Sequence, residues 1–162
     1  MIKRNRNNFP LIIVFFFCSI NFVFGQQETP QGVSLNKNAI YANVGTAGLY
    51  FTATGYYERM ITQSRKIATF AKIGIGGYGT IDEDSGEYIL AQYGLLTGAK
   101  KKHHLEIGAG PAYSINDDDG VEGELLFTAT VGWRIQKPGK NFMFRMGASF
   151  PEALYVGLGY SF

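Results

Sequence analysis

Few side chains in this sequence could do chemistry on their own. His103 and His104 are adjacent, and neighbours in an extended segment point to opposite sides, so the two do not share a metal ion. They are read as a solvated rim beside the basic turn 99–103. Ser114 stands at the far end of the same segment, out of reach of either imidazole, so nucleophile-and-base hydrolysis is not expected and the chain is read as a non-enzyme. The run Asn116-Asp117-Asp118-Asp119-Gly120 has the look of a calcium loop. Setting Gly120 at the sixth position puts Ile115 first and Leu126 twelfth, where oxygen ligands are needed, so it reads as a turn. Looser divalent-ion contact shared with Asp82, Glu83 and Asp84 stays as the alternative. Gly74, Gly76, Gly77 and Gly79 lack the following helix and the Lys-Ser/Thr pair of a phosphate cradle. No metal, cofactor or nucleic-acid site is expected.

Six long polar side chains remain: Glu58, Lys72, Gln92, Glu106, Arg134 and Arg145. They carry both signs, and the chemistry open to them is ion pairing. Whether they pair depends on the elements that carry them.

Those elements are strands. From residue 38 onward no stretch has helical spacing, and eight segments alternate apolar with small or polar residues: 39–45, 49–61, 66–79, 88–98, 104–115, 124–135, 141–149 and 153–162. The sixth is the clearest, with Leu125, Phe127, Ala129, Val131, Trp133 and Ile135 on one face. Short basic connections at 62–65, 99–103 and 137–140 alternate with longer acidic ones at 80–87 and 116–123. The expected fold is all-β: an eight-stranded antiparallel up-and-down transmembrane β-barrel over 38–162.

Alternation alone also fits a soluble lipocalin-like barrel with its apolar face turned inward. The second face decides between them. It is dominated by Gly74, Gly76, Gly94, Gly108, Gly110, Gly132, Gly147, Gly157 and Gly159. Glycine weakens a strand exposed to water but makes room in a crowded interior, and eight strands enclose only enough space for side chains. The six polar residues share this face. Glu106 and Arg134 are expected as lumen neighbours within about one residue of register, with Glu58 and Arg145 at similar depth and Lys72 and Gln92 deeper. Such a network would plug the lumen, since an unpaired buried ion costs several kcal/mol. Aromatics flank the apolar face as two girdles: Tyr57, Trp133, Phe142 and Phe162 toward the short turns, Tyr113 and Phe150 toward the other rim.

The composition agrees. Aromatics make up 15%, charged residues 17%, and there are 21 glycines. Mean hydropathy is near zero, as expected where polar and apolar residues alternate. Residues 1–25 differ: Lys3, Arg4 and Arg6 precede an apolar run at 11–17, and Gly25 precedes Gln26. This reads as a secretory signal peptide, the alternatives being a single membrane anchor or a lipoprotein signal at Cys18, where Phe17 is too large. Its removal takes three of the 15 Lys and Arg and none of the 13 Asp and Glu, leaving 12 against 13 and no cysteine, so the basic balance of the precursor implies no nucleic acid. Residues 26–37 are read as a short disordered periplasmic lead-in.

The terminal strand, the eight-strand rhythm and the triplet Tyr57-Glu58-Arg59 together resemble the small eight-stranded outer-membrane barrels of the OmpA/OmpX type. The resemblance covers about residues 38–162. It implies a bacterial outer-membrane location, contact with outer-membrane lipid, and Tyr160 and Phe162 as the signal read by the barrel assembly machinery. Some barrels of this kind are lipid A deacylases or acyltransferases with a Ser, a His and an acid near the outer rim, whereas both histidines here lie at the short-turn rim. The functional expectation is a structural or interaction role, its extracellular partner unknown. A narrow pore or transporter for small solutes, or a secreted lipocalin-like binder, are the alternatives.

Overall fold

In a computed structural model the structure describes residues 34–81, 85–98, 100–117 and 125–162. The expected signal peptide, residues 26–33 of the lead-in and the centres of both acidic loops lie outside the described residues. The chain forms eight strands: β1 (Asn38–Thr46), β2 (Tyr50–Gln63), β3 (Ile67–Thr80), β4 (Ser85–Thr97), β5 (His103–Asp117), β6 (Leu125–Gln136), β7 (Phe142–Phe150) and β8 (Ala153–Ser161). Each pairs antiparallel with the next, and β8 pairs with β1 from Ala39↔Ser161 to Thr46↔Leu154, which closes the barrel. The fold is the all-β, eight-stranded, up-and-down barrel that the period of two requires.

The boundaries move where the ladder continues past the expected turn. β4 starts at Ser85, and β5 runs to Asp117, because Gly79↔Ser85 and Gly86↔Asp117 extend the pairing. Residues 85–87 and 116–117, read as loop, are therefore strand. The strand ends at Gln63 and Ile67, Thr97 and His103, and Gln136 and Phe142 define one rim, the turn rim; those at Thr46 and Tyr50, Thr80 and Ser85, Asp117 and Leu125, and Phe150 and Ala153 define the opposite loop rim. Gly98 (φ 64°) and Gly139 (φ 70°) supply the left-handed backbone that two of the tight turns need.

The apolar face points out. Ile73 and Ile75 are 60% and 62% exposed, and Leu125 is 72% exposed, the reverse of a soluble ligand-binding barrel. The expected girdle residues Tyr57, Tyr113, Trp133, Phe142 and Phe150, with Tyr160 and Phe162, all stand on this outer face. Two hold their polar tips on neighbours: the Tyr57 hydroxyl donates to Asn38 Oδ1 at 2.9 Å and Trp133 Nε1 donates to His103 Nδ1 at 3.3 Å.

The inner face is buried and mixed in size. Tyr41, Tyr56, Phe70, Tyr88 and Tyr155 fill the lumen, and glycines on facing strands receive them. A Cβ on Gly94 would strike the Phe70 ring, and one on Gly74 would lie 2.6 Å from Tyr56 Cε1.

One expectation is corrected at the turn rim. Residues 34–37, read as the end of a disordered lead-in, are placed across the barrel mouth. Leu35 is buried among Met60, Ala68, Phe70 and Leu96. Its amide donates to Gln63 Oε1 at 3.0 Å, and Gln63 Nε2 donates to its carbonyl at 2.9 Å. An apolar socket and a side chain that satisfies both backbone groups order the segment despite its polar composition.

Close packing makes a testable distinction between glycines. A Cβ on Gly110 would collide with the Ala91 carbonyl and lie 3.0 Å from Gln92 Cα, backbone that cannot yield. On Gly55 the nearest atom is 3.9 Å away. Gly110→Ala should lower the fraction of faster-migrating folded barrel on unboiled gels, and Gly55→Ala should leave it unchanged. Equal behaviour of the two variants would contradict the packing account.

Candidate functional site

The candidate site is the lumen charge network. Alternation sends Glu58 (β2), Lys72 (β3), Gln92 (β4), Glu106 (β5), Arg134 (β6) and Arg145 (β7) to the inner face, and each is no more than 4% exposed. Register sets their depth. Glu58 is directly opposite Lys72, and Lys72 opposite Gln92. Arg134 is directly opposite Arg145. Like charges facing each other across a ladder repel. They are held by a carboxylate that reaches both.

That carboxylate is Glu106. Its Oε2 accepts from Arg134 Nε and from Arg145 Nε, each at 3.1 Å, and its Oε1 accepts from Arg145 Nη2. Lys72 Nζ lies 3.6 Å from the same Oε1. Glu58 takes the other side of Arg134 in a bidentate pair, Nη1 to Oε1 at 2.7 Å and Nη2 to Oε2 at 2.5 Å. Such forked pairs combine charge with fixed geometry. Tyr41 donates its hydroxyl to Glu58 Oε2 at 3.3 Å, and the Arg145 guanidinium stacks on the Tyr41 ring at 4.1 Å. Lys72 Nζ stands 4.9 Å from the Tyr56 ring centre and has no hydrogen-bond partner among the described residues.

Glu106 and Arg134 meet diagonally, two residues apart in register rather than within about one: Arg134 is opposite His104, and Glu106 is opposite Gly132. Gln92 departs further. It lies in the lumen but makes no ion contact in the structure: its amide crosses to β6, donating from Nε2 to Thr128 Oγ1 at 2.6 Å and accepting from Thr130 Oγ1 at 3.0 Å. A neutral amide between two hydroxyls satisfies both its ends there, which a cluster of ions would not.

Sequence reasoning missed buried hydroxyl and amide residues such as Asn43 and Gln136 and, among acidic, basic and histidine side chains, His104 and Glu152. His104, read as part of a solvated rim, is fully buried. Its Nδ1 lies 2.8 Å from the Thr97 carbonyl and its Nε2 3.0 Å from the Gln136 carbonyl. The signal was parity: His104 sits two residues before Glu106 and shares its face. Glu152 is 1% exposed although it lies in the β7–β8 connection. Its Oε2 accepts from Asn43 Nδ2 at 3.1 Å and from Ser149 Oγ at 2.9 Å. No alternation marks a turn residue as inward, so the sequence carries no signal for it.

His103 and His104 stand apart from Ser114, which is near the loop rim, so the structure does not assemble them into one site. Among the described residues no three His, Cys, Asp or Glu side chains are grouped closely enough to hold a metal ion. The arrangement positions charge and excludes solvent.

No protein-family model matches this chain, and no curated protein sequence does. Among solved structures, one from "De novo design of transmembrane beta-barrels" is similar, with a TM-score of 0.54 and 14% identity over 85% of this chain and 98% of that one. The likeness is one of fold. A transmembrane β-barrel architecture fits the outward apolar face.

The unequal roles of the cations give a prediction. Arg134 closes two ion pairs, and its truncation strands Glu58; Arg134→Ala should destabilise the barrel by about 3–5 kcal/mol, the range for breaking a buried pair. Lys72 is the poorly held third cation, and Lys72→Met, which keeps its length, should change stability by less than about 1 kcal/mol or raise it. Unfolding midpoints in denaturant measure both. Equal losses would mean that Lys72 is as integral to the network as Arg134.

Proposed function

We propose that this chain is an integral protein of the bacterial outer membrane, of the kind that the OmpA/OmpX-type barrels represent, with a structural or interaction role rather than a transport one. The observation that carries the reading is the lumen: three cations and two carboxylates, on five different strands, are fully buried against one another at the turn-rim end. A water column would screen such charges; a packed network replaces it. Outward Ile, Leu, Val and aromatic side chains support contact with outer-membrane lipid. Tyr160 and Phe162, stacked on the outer face at 6.4 Å, are proposed as the segment that the assembly machinery reads. The loop rim, with the acidic connections, then faces outward and meets the extracellular partner. No enzymatic activity, cofactor or nucleic acid enters this reading.

Two experiments test it. In planar bilayers the purified barrel should show little or no steady conductance, and a large stable conductance would hand the case to the pore. Phe162→Ala should lower the assembled, heat-modifiable fraction while leaving synthesis intact; an unchanged fraction would make the terminal aromatic incidental.

A further inference from the structure

The loop-rim half of the lumen is unlike the turn-rim half. It opens into a vestibule of about 400 Å³, walled by Tyr50, Tyr78 and Tyr88, with Ser114, Ser149 and several apolar side chains among the rest of the lining. The Tyr50 and Tyr78 rings stack at 5.6 Å, and Tyr88 is held by a 2.5 Å hydrogen bond between its hydroxyl and Thr54 Oγ1. The aromatic faces are thus fixed in place.

Beneath this vestibule lies Glu152. It sits between two residues that line the space, Pro151 and Ala153, and the hydroxyl of a third, Ser149, donates to it. The Glu152 carboxylate is within electrostatic reach of Tyr50, Tyr88 and Tyr56, whose hydroxyl is turned toward it, and at longer range of Lys72. Unlike Glu58 and Glu106, it has no Lys or Arg nitrogen within ion-pair distance among the described residues, and its Oε1 has no hydrogen-bond partner. Ser114 Oγ, more than nine-tenths buried in the wall, is also without a partner among the described residues. The backbone bends to put Glu152 there: Ala153, which follows it, takes a left-handed φ of 58°, a conformation that costs a side-chain-bearing residue free energy.

A carboxylate with no cation in ion-pair contact, set behind the tyrosine rings that line the space and near a hydroxyl that can accept a hydrogen bond, is the chemistry that recognises an organic cation. Ring faces attract such a cation through their quadrupole, and the buried acid supplies the field that selects it over a neutral molecule of the same shape. We propose that the loop-rim vestibule binds a small organic ammonium ion, held by Tyr50, Tyr78 and Tyr88 and selected by Glu152. The proposal does not depend on the chain's location or on its conductance.

The test uses the full chain, as the cell assembles it, purified in an uncharged detergent and titrated calorimetrically with tetramethylammonium and n-propylammonium. Tert-butanol and propionate are the neutral and anionic controls. At least one cation should bind saturably, with neither control doing so. Glu152→Gln, whose amide oxygen can still accept from Asn43 Nδ2 and Ser149 Oγ, should weaken that binding at least about tenfold while leaving gel mobility unchanged. Should Glu152→Gln fail to assemble, Tyr50→Leu at the mouth carries the same comparison. Absence of saturable cation binding would overturn the proposal and leave Glu152 as a latch between the β7–β8 connection and β1. Equal binding of tert-butanol, or affinity unchanged in the assembled variant, would overturn it as well.

Discussion

The barrel depends on one carboxylate. Glu106 is reached by Arg134, Arg145 and Lys72; the Arg134 pair joins the neighbours β5 and β6, and the other two run between strands that are not neighbours around the barrel, β3 with β5 and β5 with β7. The Glu58–Arg134 pair spans β2 to β6 in the same way. Backbone ladders fix each strand to its two neighbours but leave the cross-section free to flatten. Side-chain bonds across the lumen remove that freedom. They stand where a soluble domain would place an apolar core, because here the apolar residues face outward. In a low-dielectric interior these pairs are strong, and each partner is costly to leave alone.

The network requires space, and the sequence makes it with glycine. Two arginines, a lysine and five large aromatic side chains cannot share an eight-stranded lumen unless facing positions are small. Gly132 and Gly147 lie beside the Tyr155 hydroxyl, and Gly159 lies beside Tyr41 and Met143. These glycines serve as sockets on rungs where a Cβ would meet the neighbouring ladder. The packing is therefore set by pairs of extremes rather than by uniform side chains.

This division explains what the sequence made legible. A period of two fixes the face of each strand residue, and distance from a turn fixes its depth, so Glu58, Glu106, Arg134 and Arg145 could be placed near one rim. Position around the barrel follows from neither. That is why Gln92, beside Lys72 on the ladder, reaches across to Thr128 and Thr130 instead. Residues outside the alternation are illegible for a different reason. Leu35 and Glu152 belong to a lead-in and a turn, where nothing periodic marks a side chain as inward; their burial comes from a socket that exists only once the strands have closed. His104 was legible by parity, yet its place beside a basic turn argued for solvent.

Acidic and basic side chains are unevenly placed in the lumen. Among the described residues the buried acids are Glu58, Glu106 and Glu152, and the buried Lys and Arg side chains are Lys72, Arg134 and Arg145. Near the turn rim two acids meet three cations, while Glu152 stands toward the loop rim without an ion-pair partner among the described residues. Hydrogen bonding is uneven in the same sense. Of the seven buried polar atoms without a partner among the described residues, Asn43 Oδ1, Thr52 Oγ1, Ser114 Oγ, Glu152 Oε1 and Tyr155 OH belong to the loop-rim half of their strands or to its connection, and Lys72 Nζ and Arg145 Nη1 to the turn-rim network. Buried polar groups are ordinarily satisfied, and a cluster of exceptions calls for a cause. At the turn rim the cause is visible: both unpaired nitrogens belong to cations whose charge Glu106 already meets, and three cations crowd two carboxylates. Toward the loop rim the unpartnered atoms are mostly oxygens of neutral side chains, and no such crowding of charge accounts for them.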